Sequence, residues 1–168
     1  MRIHHIHRPA LVLCILLWGS AASAQSSLPP NLQLPSMYRE LVASIADRSA
    51  TFRQQLTRIA SEPRLTIDLA FVPRIVGARA KTIMVRQRDG LDARIEVDCL
   101  DDLVELIAHE IEHVIEQMDG VNLAAASAVG DLGIYSVSAS GMVFETERAA
   151  RVGIAVAHEV RASQRREN

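Results

Sequence analysis

The chain has 168 residues, 49% of them hydrophobic and 23% charged, with 18 Lys+Arg against 20 Asp+Glu. That length supports one modest domain. The near-even charge balance leaves no basic patch for nucleic acid, and no apolar run is long enough to span a membrane as a helix.

Residues 1–24 read as a secretory signal peptide. Arg2 and Arg8 make a basic start, Ala10 to Trp18 is a short apolar run, and Ala22-Ser23-Ala24 is a small-x-small cleavage signal before Gln25. Cys14 follows Leu13 rather than the small residue of a lipoprotein site, so it is expected to leave with the signal. The expectation is an exported protein, periplasmic or secreted. Removing two arginines with the signal leaves 16 Lys+Arg against 20 Asp+Glu in 144 residues, a net charge of −4. Three histidines remain, His109, His113 and His158, and one cysteine, Cys99. One cysteine cannot form an internal disulfide. Residues 25–36, with Pro29, Pro30 and Pro35, read as a flexible lead-in, and 37–168 as a single domain.

From Met37 to about Ala60, Leu41, Ile45, Phe52, Leu56 and Ile59 recur at helical spacing, and Ser61-Glu62-Pro63 ends the run. Three strands follow. Thr66 to Val72 sets Ile67, Leu69 and Phe71 on one face. Thr82 to Gln87 sets Ile83 and Val85 on one face. Leu91 to Val97 alternates Leu91, Ala93, Ile95 and Val97 with Asp92, Arg94 and Glu96. Asp89-Gly90 marks a hairpin between the last two strands. These runs predict a small, mostly antiparallel sheet.

Asp101 to Met118 is predicted as a strongly apolar helix, opened by Asp98, Asp101 and Asp102 and stopped by Asp119-Gly120. Val121 to Gly141 is a run of small residues with Tyr135 its only aromatic. Met142 to about Ala162 is predicted as the last helix, with an apolar face through Ala149, Gly153, Val156 and Val160.

The chemistry lies on the Asp101–Met118 helix, where His109-Glu110-Ile111-Glu112-His113 forms H-E-x-x-H. Residues four apart share a helix face, so His109 and His113 can aim two imidazoles at one metal ion. Glu110 stands one residue on, where a general base would reach a metal-bound water. Two unpaired imidazoles and a carboxylate on an apolar helix would be costly without a purpose. Glu112 shares its face with Ala108 and Glu116 and is expected to be solvated, with no role.

A catalytic zinc takes a third protein ligand. His158 lies opposite the apolar face of its helix and reads as solvated. Cys99 reads as a small buried residue. Carboxylates remain, Glu145 or Glu147 at the start of the last helix. At about 100° per residue Glu145 falls nearer the apolar stripe and Glu147 on its flank, which favours Glu145. Small Ala149 and Gly153 would let that helix approach the motif helix closely.

With these residues in view, the stretch from about Leu65 to Val160 resembles the zincin metallopeptidases of the gluzincin type. In those, a helix carries H-E-x-x-H and a glutamate on a later helix completes the site. The matching positions are His109, Glu110, His113 and Glu145, the last within Phe-Glu-Thr-Glu-Arg-Ala. The resemblance implies an α+β fold in which a small, mostly antiparallel sheet accompanies an N-terminal helix, an H-E-x-x-H helix and a C-terminal glutamate helix. It also implies one Zn2+ per chain, Glu110 as the catalytic base, and a peptide or protein substrate. Tyr135 is a candidate oxyanion donor, although it reads more readily as an ordinary core or surface tyrosine. The outer strand could take an extended peptide by strand addition. The competing expectation is a metal-binding structural or interaction module without turnover.

Overall fold

The computed structural model describes residues 28–98, 101–129, 133–136 and 144–167. The signal peptide, Cys99 and the first residues of the last predicted helix, 142–143, lie outside the described residues. In chain order the elements are β1 (Leu32–Gln33), α1 (Ser36–Arg48), α2 (Ala50–Ala60), β2 (Leu65–Phe71), β3 (Ala80–Arg86), β4 (Leu91–Val97), α3 (Leu103–Met118), α4 (Leu123–Val129), β5 (Ile134–Ser136), β6 (Phe144–Thr146) and α5 (Glu147–Glu167). The class is α+β, as expected.

The main sheet runs in the order β1-β2-β4-β3. It is mixed rather than mostly antiparallel: β1–β2 and β2–β4 are parallel, and only β3–β4 is antiparallel. The Asp89-Gly90 hairpin forms where expected, closed by Gln87 N donating to Gly90 O at 2.9 Å. The chain leaves β2, crosses to the outer edge as β3, and returns through this hairpin, so β4 enters beside β2 in the same direction. Gly90 is required there, because a Cβ would overlap the Arg64 carbonyl oxygen that Leu91 N–H also binds.

Leu91, Ala93, Ile95 and Val97 are all buried, as their alternation predicts, and so are Leu65, Ile67 and Leu69 of β2. The faces of β3 are reversed. Ile83 and Val85 are 45% and 51% exposed, while Thr82 and Met84 sit opposite the buried Ile95 and Ala93. Hairpin register fixes which face turns inward, and it overrides the strand's own pattern.

The single N-terminal helix expected over 37–60 is two helices. Ser49 is extended (φ −122°, ψ 119°) and fully buried, and its Oγ accepts from Phe52 N at 3.0 Å, capping α2. The Pro-rich stretch read as a flexible lead-in carries β1. Leu32 is buried there, and Asn31 Nδ2 donates to Ile59 O and Glu62 O, because apolar Leu32 and Leu34 find the core. Within the small-residue run the described residues form α4 and β5, and β5 pairs antiparallel with β6.

Helix α3 packs against β3 and β4 on one side and against α2 and α5 on the other. Gly153 of α5 makes the close approach to α3: a Cβ there would stand 2.9 Å from Glu105 O and 3.2 Å from His109 Cβ. Among the described residues no helix is long and apolar enough to cross a membrane.

Candidate metal centre

Helix α3 presents His109 and His113 one turn apart, with Nε2 atoms 3.1 Å from each other. Glu145 Oε2 completes a triangle, 3.0 Å from His109 Nε2 and 3.9 Å from His113 Nε2. These three side chains could hold a metal ion. Atoms bound tetrahedrally at about 2.0–2.1 Å lie roughly 3.3–3.4 Å apart, which the three spacings bracket. Two ring nitrogens and a carboxylate oxygen are donors that suit a divalent transition ion.

Glu145 is the acid expected, but it does not come from the helix expected to carry it. Helix α5 begins at Glu147, and Glu145 projects from the strand β6. The cause is Thr146, whose Oγ1 accepts from Ala149 N at 3.0 Å and so caps α5 one residue after Glu145. Glu147 points away, 64% exposed and ion-paired with Arg151 at 3.2 Å.

Glu110 is buried beneath β3. Thr82 Oγ1 donates to its Oε2 at 2.6 Å. Burial pushes the Glu110 carboxyl above the usual carboxylate range, outweighing the Thr82 bond and the charges of His113 and His109. Glu145 is displaced the other way. Burial opposes its charge, but the hydrogen bond to His109 and the charges of both histidines outweigh burial and hold it low. Burial also disfavours protonation of His109, yet the bond to Glu145 and the surrounding carboxylates raise it on balance.

Two acids on α3 have roles that the sequence reading missed. Glu112, expected to be solvated, is 5% exposed. It accepts from Arg148 Nε at 2.7 Å and from Gln55 Nε2 at 2.8 Å, so α5 and α2 cover the face read as wet. Glu116 is 2% exposed and lies 3.1 Å from His113 Nδ1 through Oε2. Its Oε1 accepts from Thr146 Oγ1 at 2.8 Å. The only local signal for Glu116 was its spacing, one turn beyond His113.

Tyr135 is 54% exposed and pairs across the β5–β6 ribbon with Glu145, which puts the two side chains on one face. His158 is exposed on α5, as its position predicts. No family model, curated protein or solved structure matches the chain.

Proposed function

We propose that the chain is an exported zinc-dependent hydrolase, a small metallopeptidase with a minimal zincin layout. One observation carries the reading: Glu110, a buried acid outside the three-ligand set, is held beside that set by Thr82. A purely structural metal site has no use for it. Histidine and glutamate donors suit zinc, and export rests on the N-terminal sequence pattern.

A zinc ion bound by His109, His113 and Glu145 supplies Lewis acidity, polarising a carbonyl and acidifying a water. The chain's own residues do the rest. Thr82 engages Glu110 Oε2, which leaves Oε1 free to accept a proton from the attacking water. Burial strengthens the hold of Glu110 on that proton until it passes to the leaving amine. The pairing of Tyr135 with Glu145 across the ribbon supports Tyr135 as the donor to a developing oxyanion in this reading. Among the described residues β3 is an outer strand of the sheet, and its Thr82 bonds Glu110. An extended peptide adding to that edge would run past the site.

The test begins with metal content of the mature protein beside His113→Ala prepared identically. About one zinc per chain, lost in the variant, is expected. Glu110→Gln should then keep the metal and lose cleavage of a peptide library. Cleavage that survives Glu110→Gln refutes the mechanism. Zinc that raises the melting temperature while no peptide is cut leaves a metal-binding module instead.

A further inference from the structure

We propose that Glu116 is the positioning residue of the metal centre and that Thr146, the cap of α5, sets its polarity. This role rests on the metal reading above. The argument is the direction of four hydrogen-bonding groups in a row. The Ala149 amide can only donate, so the Thr146 hydroxyl accepts there, at 3.0 Å. The Thr146 proton is then free for Glu116 Oε1, at 2.8 Å. Glu116 Oε2, as a carboxylate oxygen, accepts from His113 Nδ1 at 3.1 Å. With Glu116 as a carboxylate, His113 carries its proton on Nδ1 and presents a bare lone pair on Nε2, the atom facing His109 and Glu145.

Each link is buried. Glu116 is 2% exposed, Thr146 1% and His113 5%, so water does not compete for these bonds. An imidazole with its proton on Nε2 could not ligate through that atom. A partner on the far nitrogen both selects the tautomer and holds the ring plane. The device spans two elements. Glu116 sits on the same helix as the two histidines, and Thr146 directly follows Glu145 in β6. The residue that caps α5 thus orients the acid behind one ligand and stands next in the chain to another.

The test uses the full mature chain. Ring-nitrogen NMR of the metal-free protein at about pH 8, where ordinary imidazoles are neutral, reads the His113 tautomer directly. Wild type should show Nδ1 protonated and Nε2 bare. Glu116→Gln should reverse that preference, because the Thr146 proton holds the amide oxygen and turns the NH2 group toward His113 Nδ1. Zinc affinity, measured against a chromophoric chelator, should fall about 10–100-fold in Glu116→Gln. Circular dichroism checks that the fold is kept. If Glu116→Gln does not fold, Thr146→Val removes the upstream donor without touching the acid and should weaken zinc binding too, with Thr146→Ser restoring it. A wild-type His113 protonated on Nε2 overturns the proposal. So does a folded Glu116→Gln that binds zinc as tightly as wild type. Failure of wild type to bind zinc sinks the hydrolase reading and the metal role of Glu116 with it, whereas a failure of Glu116→Gln alone to weaken zinc binding overturns only the proposal made here.

Discussion

Gly153→Ala separates close packing from helix propensity, because the two predict opposite signs. In a free helix the change stabilises by about 1 kcal/mol, since alanine is the better helix former. Here the new Cβ would stand 2.9 Å from Glu105 O, 3.2 Å from His109 Cβ and 3.3 Å from Glu105 Cγ. The nearest atom is backbone of α3, which cannot yield as a side-chain tip can. Relieving it means moving α5 off α3 by several tenths of an ångström. Overpacking of this kind costs about 1–3 kcal/mol. The net expectation is a loss of up to about 2 kcal/mol, or about 3–5 °C in Tm for each kcal/mol in a domain of this size. Because the second contact is with His109 itself, zinc affinity should fall as well. Urea denaturation of the metal-free protein gives the first quantity and chelator competition the second. A variant about 1 kcal/mol more stable than wild type, with unchanged zinc affinity, would refute the close approach of α5 to α3.

Two other outcomes follow from side chains described above. Thr82→Val should keep zinc and the fold but lower kcat about tenfold, a fraction of the roughly 10²–10⁴ that general-base catalysis contributes, with Thr82→Ser near wild type; turnover unchanged in the valine variant would mean that Glu110 needs no support. Glu159 accepts from Ser49 Oγ at 2.7 Å, Thr51 Oγ1 at 2.6 Å and Thr51 N at 3.1 Å at the start of α2. Burial opposes its ionisation, but these bonds outweigh it and hold the carboxyl below its ordinary value of 4.5. A lowered folded pKa gives stability that is present above the unfolded pKa and is lost as pH falls through the folded one. Glu159→Gln should therefore cost about 1–2 kcal/mol at pH 7, and its deficit should shrink progressively below about pH 4.5. Equal urea midpoint differences at pH 7 and at about pH 3 would count against that linkage.

What was legible in the sequence was local. His109 and His113 needed only helical spacing, and the alternation of β4 needed only its own residues. Glu145 joins the two histidines, but from a strand rather than a helix: the helical period does not reach back through Phe144-Glu145-Thr146, because Thr146 is itself a cap residue and marks the start of α5. The errors over β3, Glu112 and the sheet have a common source in contacts distant along the chain. The inward face of β3 is set by its pairing with β4, not by its own pattern. Glu112 is dry because Arg148 and Gln55 arrive from other helices. The parallel pairing of β2 with β4 depends on where β3 is placed between them in the chain, which no window of residues records.

The ribbon that carries Glu145 has a kinetic consequence. Two histidines ride on a helix of 16 residues packed on both sides, whereas Glu145 rides on a strand that, among the described residues, is three long and pairs with another of three. A pair of that length is marginal by itself and is expected to open before the core around α3 does. Residence time of a bound ion would then be governed by how often the ribbon lifts Glu145 away, leaving a two-histidine perch from which the ion departs. Substitutions that stiffen β5–β6 should slow metal exchange while scarcely changing the geometry of the bound state.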